Sequence, residues 1–198
     1  MGYKVAVIGA TGNVGREMLS ILDERGFPAD EVVALASRRS VGQEVSFGDK
    51  TLKVKPLEGF DFSDTDIALM SAGGNISKEY SPKIGATGCV VIDNSSAWRY
   101  DQDVPLIVPE VNPQAIEKHS GILASPNCST TQMVVAMKPL HDVGRIKRVI
   151  VSTYQATSGA GVSGERDLIN GTRAALAGDR HDYEVFAHPI AMNLIPQI

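Results

Sequence analysis

The first half of the chain alternates short apolar runs with longer stretches whose apolar residues recur at helical spacing. The run Lys4–Ile8 is apolar after its first residue, which is typical of a central parallel strand buried on both faces. Residues 16–24 carry apolar side chains three and four positions apart, and they predict a helix. A second apolar run, Glu31–Ala36, predicts the next strand. The chain therefore opens with a strand–helix–strand unit.

Similar patterns continue along the rest of the chain. A short alternation between residues 45 and 62 indicates a hairpin excursion from the main sheet. Beyond it we expect strands at 67–71, 88–93 and 121–124, helices at 77–85, 128–143 and 163–177, and a half-buried strand of a second sheet at 145–155. The predicted fold class is α/β, with a Rossmann-like, doubly wound parallel sheet.

Three glycines, Gly9, Gly12 and Gly15, follow the first strand. In such a turn the first glycine permits the tight bend and the second lets the backbone approach a diphosphate. The third lets the helix sit close on the strand. A glycine-rich turn without a ligand is the alternative, but its place between strand and helix favours a dinucleotide site. A later loop of small residues at Ala72 and Gly73 should lie over the same dinucleotide.

The residues after the second strand bear on which dinucleotide would bind. NAD sites usually place Asp or Glu there for the ribose 2′-hydroxyl, whereas the 2′-phosphate of NADP calls for positive charge. This chain has Ser37, Arg38, Arg39 and Ser40, which offer two guanidiniums and two hydroxyls without a carboxylate. The pattern favours NADP over NAD, and an exposed basic turn is the alternative.

Composition narrows the class of protein. The chain has 198 residues, 43% of them hydrophobic, and a net charge of −4, which argues against nucleic acid as the main partner. No apolar run reaches membrane-spanning length, and the N-terminus does not resemble a signal peptide. Two cysteines do not make a disulfide framework, so we expect a cytoplasmic protein in which Cys89, in an apolar run, is inert. Asp61, Asp64 and Asp66 indicate a solvated loop, and no metal site is predicted.

Cys128 stands where a predicted strand turns sharply into a helix, shortly after Pro126. The first-turn N–H groups and the helix dipole favour the thiolate, and they could also hold an oxyanion on a carbonyl that the sulfur attacks. Hydroxyls of residues 129–131 are expected to satisfy unpaired N–H groups there. The alternative is a small hydrophobic residue in a strand-to-helix joint.

Two other polar residues are candidates for substrate contacts. Arg99 follows the strand predicted at 88–93, and its planar fork of donors suits a carboxylate or phosphate. A surface arginine covering Trp98 is the alternative. Gln155 precedes another glycine-rich turn and could bond a carbonyl or a thiol, although a glutamine bonded to neighbouring backbone is the ordinary case.

Together these segments closely resemble bacterial aspartate-semialdehyde dehydrogenase. The resemblance rests on Gly9–Gly15, Ser37–Ser40, Asp93–Arg99, Ser125–Thr130 and Tyr154–Gly159. It covers the whole chain but only roughly the first half of the family's usual length. The catalytic histidine and further substrate-binding residues of the family cannot be placed in this sequence, and no obvious general base is present.

The resemblance implies an NADP-binding domain over residues 1–127 and the first part of an α+β catalytic and dimerisation domain over 128–198. It also implies NADP-dependent reductive dephosphorylation of L-aspartyl 4-phosphate to L-aspartate 4-semialdehyde, on the route to lysine, methionine and threonine, by a homodimer or homotetramer. Cys128 would form a thioacyl intermediate, helped by Asn127. Arg99 would bind phosphate and Gln155 would orient the substrate. The residues that match cofactor positions of the family are Thr11, Gly12, Asn13, Val14, Arg39, Ser40, Ser158 and Gly159.

Two other functions remain open at this point. One is another acyl-phosphate reductase of the same design, such as N-acetyl-glutamyl-phosphate reductase. The other is a module that binds NADP without turnover. An assay with each acyl phosphate would separate the two enzymes, and NADPH binding without reaction would identify the module.

Overall fold

A computed structural model describes residues 2–196 of the chain. Contacts divide the chain into two compact units, Met1–Val151 and Ser152–Ile198. The predicted domain boundary between residues 127 and 128 stays a prediction. Strands β1 to β8 span Tyr3–Ile8, Ala29–Ala36, Glu44–Phe47, Lys50–Lys53, Lys55–Pro56, Ile67–Met70, Val90–Asp93 and Ile122–Ala124. Helices α1 to α4 span Asn13–Glu24, Gly74–Gly85, Cys128–Val143 and Gly161–Ala177, and 3₁₀ helices lie at Arg38–Ser40, Pro113–Lys118 and Thr157–Ala160.

A six-stranded parallel sheet is the centre of the first unit, in the order β5-β2-β1-β6-β7-β8. Strands β3 and β4 form a separate antiparallel hairpin, as the short alternation predicted. The Rossmann-like α/β sheet predicted from the sequence is confirmed.

The core lies on both faces of this sheet because successive residues of a strand point to opposite sides. On β1, Ala6 and Ile8 pack with Met70 of β6 in one cluster, whereas Val7 packs with Leu19 of α1 in the other. All five side chains are fully buried. Burying a Val, Leu, Ile or Met side chain contributes about 1.5–3 kcal/mol, so both clusters hold β1 at the middle of the sheet.

Helix α1 begins three residues earlier than its apolar pattern indicates. Gly12 is its N-cap, with φ −78° and ψ 166°, and the helix starts at Asn13 instead of the predicted Arg16. Helices α2 and α4 likewise begin before the predicted Ser77 and Ser163. Each added segment contains a glycine, at Gly15, Gly74 and Gly161, and glycine weakens a helix prediction made from the sequence.

The prediction of a strand at 145–155 is wrong. These residues have no regular secondary structure, and the side chains of Ile150 and Tyr154 are 80% and 87% exposed. A strand needs a neighbour to bond its N–H and C=O groups. Among the described residues, neither sheet includes a partner for this segment, so alternation alone did not produce a strand.

The second unit is built on α4 and the segment after it. Asp167 of α4 is buried, and its carboxylate accepts the backbone N–H groups of Glu184 at 3.0 Å and Val185 at 2.8 Å. Burial by itself would raise the pKa of Asp167, but the N–H groups of Val185 and Glu184 outweigh it and hold the pKa below its ordinary value. The carboxylate therefore ties the segment back onto α4.

Candidate functional site

Strand β1 has β2 on one side and β6 on the other, so the strand order reverses beside it. In open parallel sheets, ligands bind outside the carboxyl ends of the strands at such a point. The turn after β1 begins with Gly9, whose φ of +84° lies in the left-handed region. The amides of Gly9 and Ala10 both donate to the carbonyl of Leu35 at the end of β2, at 2.8 and 3.1 Å. The turn is therefore fixed at the switch point.

The glycines of this turn differ in what surrounds them. A Cβ on Gly15 would overlap the carbonyl of Gly9 and lie 2.8 Å from the Cα of Ala10, so the helix packs directly on the turn. A Cβ on Gly12 would approach only the Gly9 carbonyl, at 3.4 Å. No side chain of the N-cap residue Gly12 caps α1, and helix N-termini of this kind are favourable places for a phosphate. Thr11, Asn13 and Val14 lie within the same turn, and Val14 is exposed.

The loop after β6 packs against the glycine turn, as a shared cofactor site requires. A Cβ on Gly9 would lie 2.7 Å from the carbonyl oxygen of Ser71 and 3.0 Å from the amide of Ala72. Gly73 is the N-cap of α2 with φ +87°, and a Cβ there would have open space around it. The structure therefore brings Ala72 and Gly73 beside the turn at Gly9.

The basic segment after β2 forms a 3₁₀ turn in which the two arginines are not equivalent. Arg38 Nε donates to the Glu58 carboxylate at 2.5 Å, and both side chains are exposed. Glu58 raises the pKa of Arg38 through this hydrogen bond. Arg39 makes no ion pair within residues 2–196. Its guanidinium is thus the one that lacks a competing carboxylate, flanked by Ser37 and Ser40 on the same turn.

Cys128 is the first residue of α3, and it is exposed. The Asn127 side chain caps the helix: its Oδ1 accepts the Cys128 amide at 3.0 Å and lies 3.5 Å from the Cys128 Sγ. Two of the three hydroxyls predicted to satisfy the first N–H groups bond Asn127 instead: Thr131 Oγ1 donates to the Asn127 carbonyl at 3.2 Å, and the Ser129 oxygen accepts from the Asn127 carboxamide at 3.4 Å. Asn127 thus holds both the first turn of α3 and the thiol. Cys89 is buried, and this burial raises the pKa of its thiol to about 12.

Arg99 is bound by backbone carbonyls. Its Nε donates to the Ser125 carbonyl at 2.9 Å and its Nη2 to the Asn94 carbonyl at 3.2 Å. Ser125 lies three residues before Cys128, so these bonds attach the guanidinium to the segment that leads into α3. The guanidinium bonds backbone, which distinguishes it from a surface arginine that only covers Trp98.

Asp93 is the last residue of β7, and its side chain is not a ligand contact of the predicted kind but part of a buried group of hydrogen bonds. It is fully buried and accepts hydrogen bonds from the hydroxyls of Ser77, Ser81 and Ser95 and from the Ser95 amide. The sequence analysis missed Ser77 and Ser81 because a serine on a helix carries no signal of its own. Ser95, two residues after Asp93, did indicate in the sequence that this carboxylate has a local hydrogen-bond donor.

Three residues predicted for the site belong to the second unit and are described within it. Gln155 is exposed, and its side chain lies over Gly159, where a Cβ would be 2.5 Å from Nε2. Ser158 and Gly159 lie in the 3₁₀ helix that precedes α4.

The aspartates after β5 serve local structure. Asp64 pairs with the Lys4 ammonium at 2.7 Å, Asp66 accepts the Lys4 amide at 2.7 Å, and Asp61 accepts the Ser63 amide at 2.9 Å. Within the described part of the chain, no group of three or more His, Cys, Asp or Glu side chains could hold a metal ion. Nor does any helix among residues 2–196 have the length and apolar character needed to cross a membrane.

Known proteins resemble the chain over its full length. The family model "Semialdehyde dehydrogenase, NAD binding domain" matches residues 4–119, and "Semialdehyde dehydrogenase, dimerisation domain" matches residues 137–198. The aspartate-semialdehyde dehydrogenase of Aquifex aeolicus is 55% identical over 202 residues, which cover 100% of this chain and 59% of that relative. Aspartate-semialdehyde dehydrogenase 2 of Vibrio cholerae is 50% identical over 198 residues, which cover 99% of this chain and 59% of that relative.

A solved structure agrees with these matches. The crystal structure of aspartate semialdehyde dehydrogenase II from Vibrio cholerae complexed with ASA has a TM-score of 0.95 and 48% identity to this chain. The match covers 100% of this chain and 60% of that one. This chain therefore spans about three fifths of the length of its relatives.

Proposed function

Because the chain belongs to the semialdehyde dehydrogenase family, we propose that it is the cofactor-binding and nucleophile-bearing part of an aspartate-semialdehyde dehydrogenase. In this proposal it takes part in the NADP-dependent interconversion of L-aspartyl 4-phosphate and L-aspartate 4-semialdehyde, on the route to lysine, methionine and threonine. The names of the relatives that are 50% and 55% identical support the choice of substrate.

The observation that carries the proposal is the position of Cys128. An exposed thiol at the first residue of a 16-residue helix lies beside N–H groups that can stabilise an oxyanion on a carbonyl that the sulfur attacks. The Asn127 carboxamide, 3.5 Å from Sγ, fixes the direction of the thiol. In the proposed reaction the sulfur attacks the acyl carbon and an S–C bond forms. The C–O bond to phosphate breaks, and phosphate leaves with the electron pair.

The residues after β1 and β2 fit an NADP molecule. The uncapped N-terminus of α1 can receive the diphosphate, and Gly12 leaves room for it, with Thr11, Asn13 and Val14 beside it. Arg39, which has no carboxylate partner among residues 2–196, would hold the 2′-phosphate with Ser37 and Ser40. When bound, the nicotinamide would exchange the hydride that relates the acyl and aldehyde oxidation levels.

Arg99 and Gln155 are the proposed substrate contacts. Nε of Arg99 bonds the carbonyl of Ser125, three residues before Cys128, and Nη2 bonds that of Asn94, which leaves further N–H donors of the fork for a phosphate. Gln155 would orient the acyl group at the sulfur, and Ser158 and Gly159 would complete the cofactor contacts. The match to a dimerisation domain supports a homodimer or homotetramer. A reactive free thiol suits the reducing cytoplasm, which is the location we propose.

Two measurements on the purified chain test this proposal. A fluorescence titration with NADPH should show saturable binding in the chain and equally in Cys128→Ser. An assay with L-aspartate 4-semialdehyde, NADP and phosphate should give turnover that Cys128→Ser abolishes, with N-acetylglutamate semialdehyde as the control substrate. Faster turnover of N-acetylglutamate semialdehyde would change the proposed substrate from the aspartyl to the N-acetylglutamyl compound. Binding without turnover would limit this chain to a cofactor module, and no binding would contradict the proposal.

A further inference from the structure

Buried hydrogen bonds connect helix α2 to the end of β7 and to the loop that carries Arg99. Ser77 of α2 is fully buried, and its hydroxyl donates to Oδ2 of Asp93. The same Ser77 oxygen accepts the indole N–H of Trp98 at 2.7 Å. A single hydroxyl therefore joins the end of β7 to the residue immediately before Arg99.

The rest of the loop is fixed from the same carboxylate. Asp93 Oδ1 accepts the amide of Ser95 at 2.7 Å and its hydroxyl at 2.6 Å. The Ser95 oxygen in turn accepts the Ala97 amide at 3.1 Å. The backbone carbonyl of Asp93 accepts the Ser125 amide at 2.8 Å, so this residue also holds the segment that leads to Cys128. The two carbonyls that accept from the Arg99 guanidinium belong to neighbours of Asp93. Asn94 follows Asp93 in the sequence, and Ser125 is the residue whose amide bonds the Asp93 carbonyl.

A buried carboxylate is costly unless donors surround it, and removal of one donor leaves another group without its partner. Within residues 2–196, the donors to the Asp93 carboxylate are Ser77 and Ser81 of α2 and Ser95 of the following loop. Their arrangement fixes the start of the loop at Asp93 and its end at Trp98. The guanidinium of Arg99 is then presented from a loop held at both ends.

We propose that Ser77 is a positioning residue for Arg99, acting through Asp93 and Trp98. Its hydroxyl holds the loop so that the guanidinium keeps its two carbonyl contacts and its remaining donors point to one anion site. The assignment of a phosphate to that site rests on the proposed function. The role of Ser77 in positioning the guanidinium does not rest on the proposed function. The positioning role and the phosphate assignment can therefore be tested separately.

The matched control is Ser81, one turn further along α2. It is also fully buried, and its hydroxyl lies 3.3 Å from Asp93 Oδ2 and 3.2 Å from the Ser77 hydroxyl, whereas the indole N–H of Trp98 donates to Ser77. Ser77→Ala and Ser81→Ala therefore delete the same atom from the same helix. Only the first deletion breaks the link to the loop that carries Arg99. Trp98→Phe breaks that link from the other side and retains an aromatic ring.

The first measurement is the hydrogen exchange of the Arg99 Nε–H, observed by ¹⁵N NMR in the chain and its variants. We expect exchange at least about tenfold faster in Ser77→Ala and in Trp98→Phe, and less than about threefold faster in Ser81→Ala. Ser77→Ala combined with Trp98→Phe should exchange no faster than Ser77→Ala alone, because Ser77→Ala already removes the hydrogen bond to Trp98 together with the one to Asp93. Thermal unfolding of the same variants shows whether global stability accounts for the differences.

Equal exchange in Ser77→Ala and Ser81→Ala, or rates that follow the melting temperatures alone, would overturn the positioning role. If Ser77→Ala does not fold, Trp98→Phe against wild type decides by the same criterion. A second titration, with inorganic phosphate, follows the Arg99 Nε–H resonance. We expect saturable shifts in wild type and a Kd about fivefold weaker in Ser77→Ala. No shift in wild type would remove phosphate from the proposed function, while the exchange result would still decide the role of Ser77.

Discussion

Two turns of the first unit connect a parallel strand to a helix, but they differ in the side chains at the start of the helix. The turn from β1 to α1 has three glycines, no side-chain cap, and a backbone packed on itself at Gly15. The turn from β8 to α3 has an Asn127 cap and an exposed Cys128. In the proposed function the first turn lacks side chains so that a ligand can approach the backbone. The second turn holds one side chain that would react with a ligand.

The comparison explains why a helix N-terminus alone does not define a site. Both helices present a positive dipole end, but what stands at that end determines what it can do. At α1 the N-cap is a glycine without a side chain, which we propose leaves room for a phosphate. At α3 the first residue is the exposed Cys128.

The largest difference should appear between the two thiols. Alkylation of Cys128 by iodoacetamide at pH 8 should be on the order of a thousandfold faster than that of Cys89, because Cys128 is exposed. Burial raises the pKa of Cys89 to about 12, so its reactive thiolate is scarce until the pH approaches that value. Peptide mass spectrometry gives both rates from one sample. In urea the rates should converge, and similar rates in the folded chain would refute the distinction.

Gly15→Ala should have the next largest effect, since its Cβ would lie 2.8 Å from the Cα of Ala10. Overpacking against backbone should cost about 3 kcal/mol and weaken NADPH binding with it. Gly12→Ala is the control: its φ of −78° suits alanine, so it should keep the fold. Urea unfolding measures the stability of the two variants, Gly15→Ala and Gly12→Ala. A Gly15→Ala variant as stable as wild type would show that the turn does not depend on close backbone contact.

Arg39→Ala should weaken NADPH binding about tenfold and leave NADH binding within about threefold, because the loss is confined to the 2′-phosphate. Arg38→Ala should have a smaller effect, since Arg38 is already bonded to Glu58. Titrations with both dinucleotides check the ratio. Equal losses for NADPH and NADH would argue against a phosphate contact at this turn.

Asn127→Ala should have the smallest effect of this series, about 1 kcal/mol of stability, from the loss of a helix cap. Asn127→Asp is its control because a carboxylate oxygen can still accept the Cys128 amide. The midpoint of urea unfolding distinguishes the two variants. An equal loss of stability in Asn127→Asp would show that Asn127 does not stabilise the chain through the helix cap.

The repeating part of the fold could be predicted from the sequence. Apolar runs such as Val5–Ile8 are buried on both faces of the sheet. A strand buried in this way is recognisable from the sequence because its residues are continuously apolar. The turn at Gly9 and the helix start at Cys128 were also predictable, because glycine spacing and a strand-to-helix change are local features.

The failures come from interactions between distant segments. Residues 145–155 alternate like a strand but lack a partner among the described residues, and pairing is a property of two segments. The hydrogen bonds of Asp93 join residues 16 and 12 positions apart, which no local pattern reveals. The ion pair of Arg38 with Glu58 is likewise 20 positions apart, so the sequence could not separate the two arginines.

The most direct test of the account is intact-mass and peptide mass spectrometry after incubation of the chain with L-aspartyl 4-phosphate. The account predicts one aspartyl group, attached to Cys128, removable by hydroxylamine and absent from Cys128→Ser. Retention of the same adduct in Cys128→Ser, or its attachment to Cys89, would contradict the assignment of Cys128 as the nucleophile.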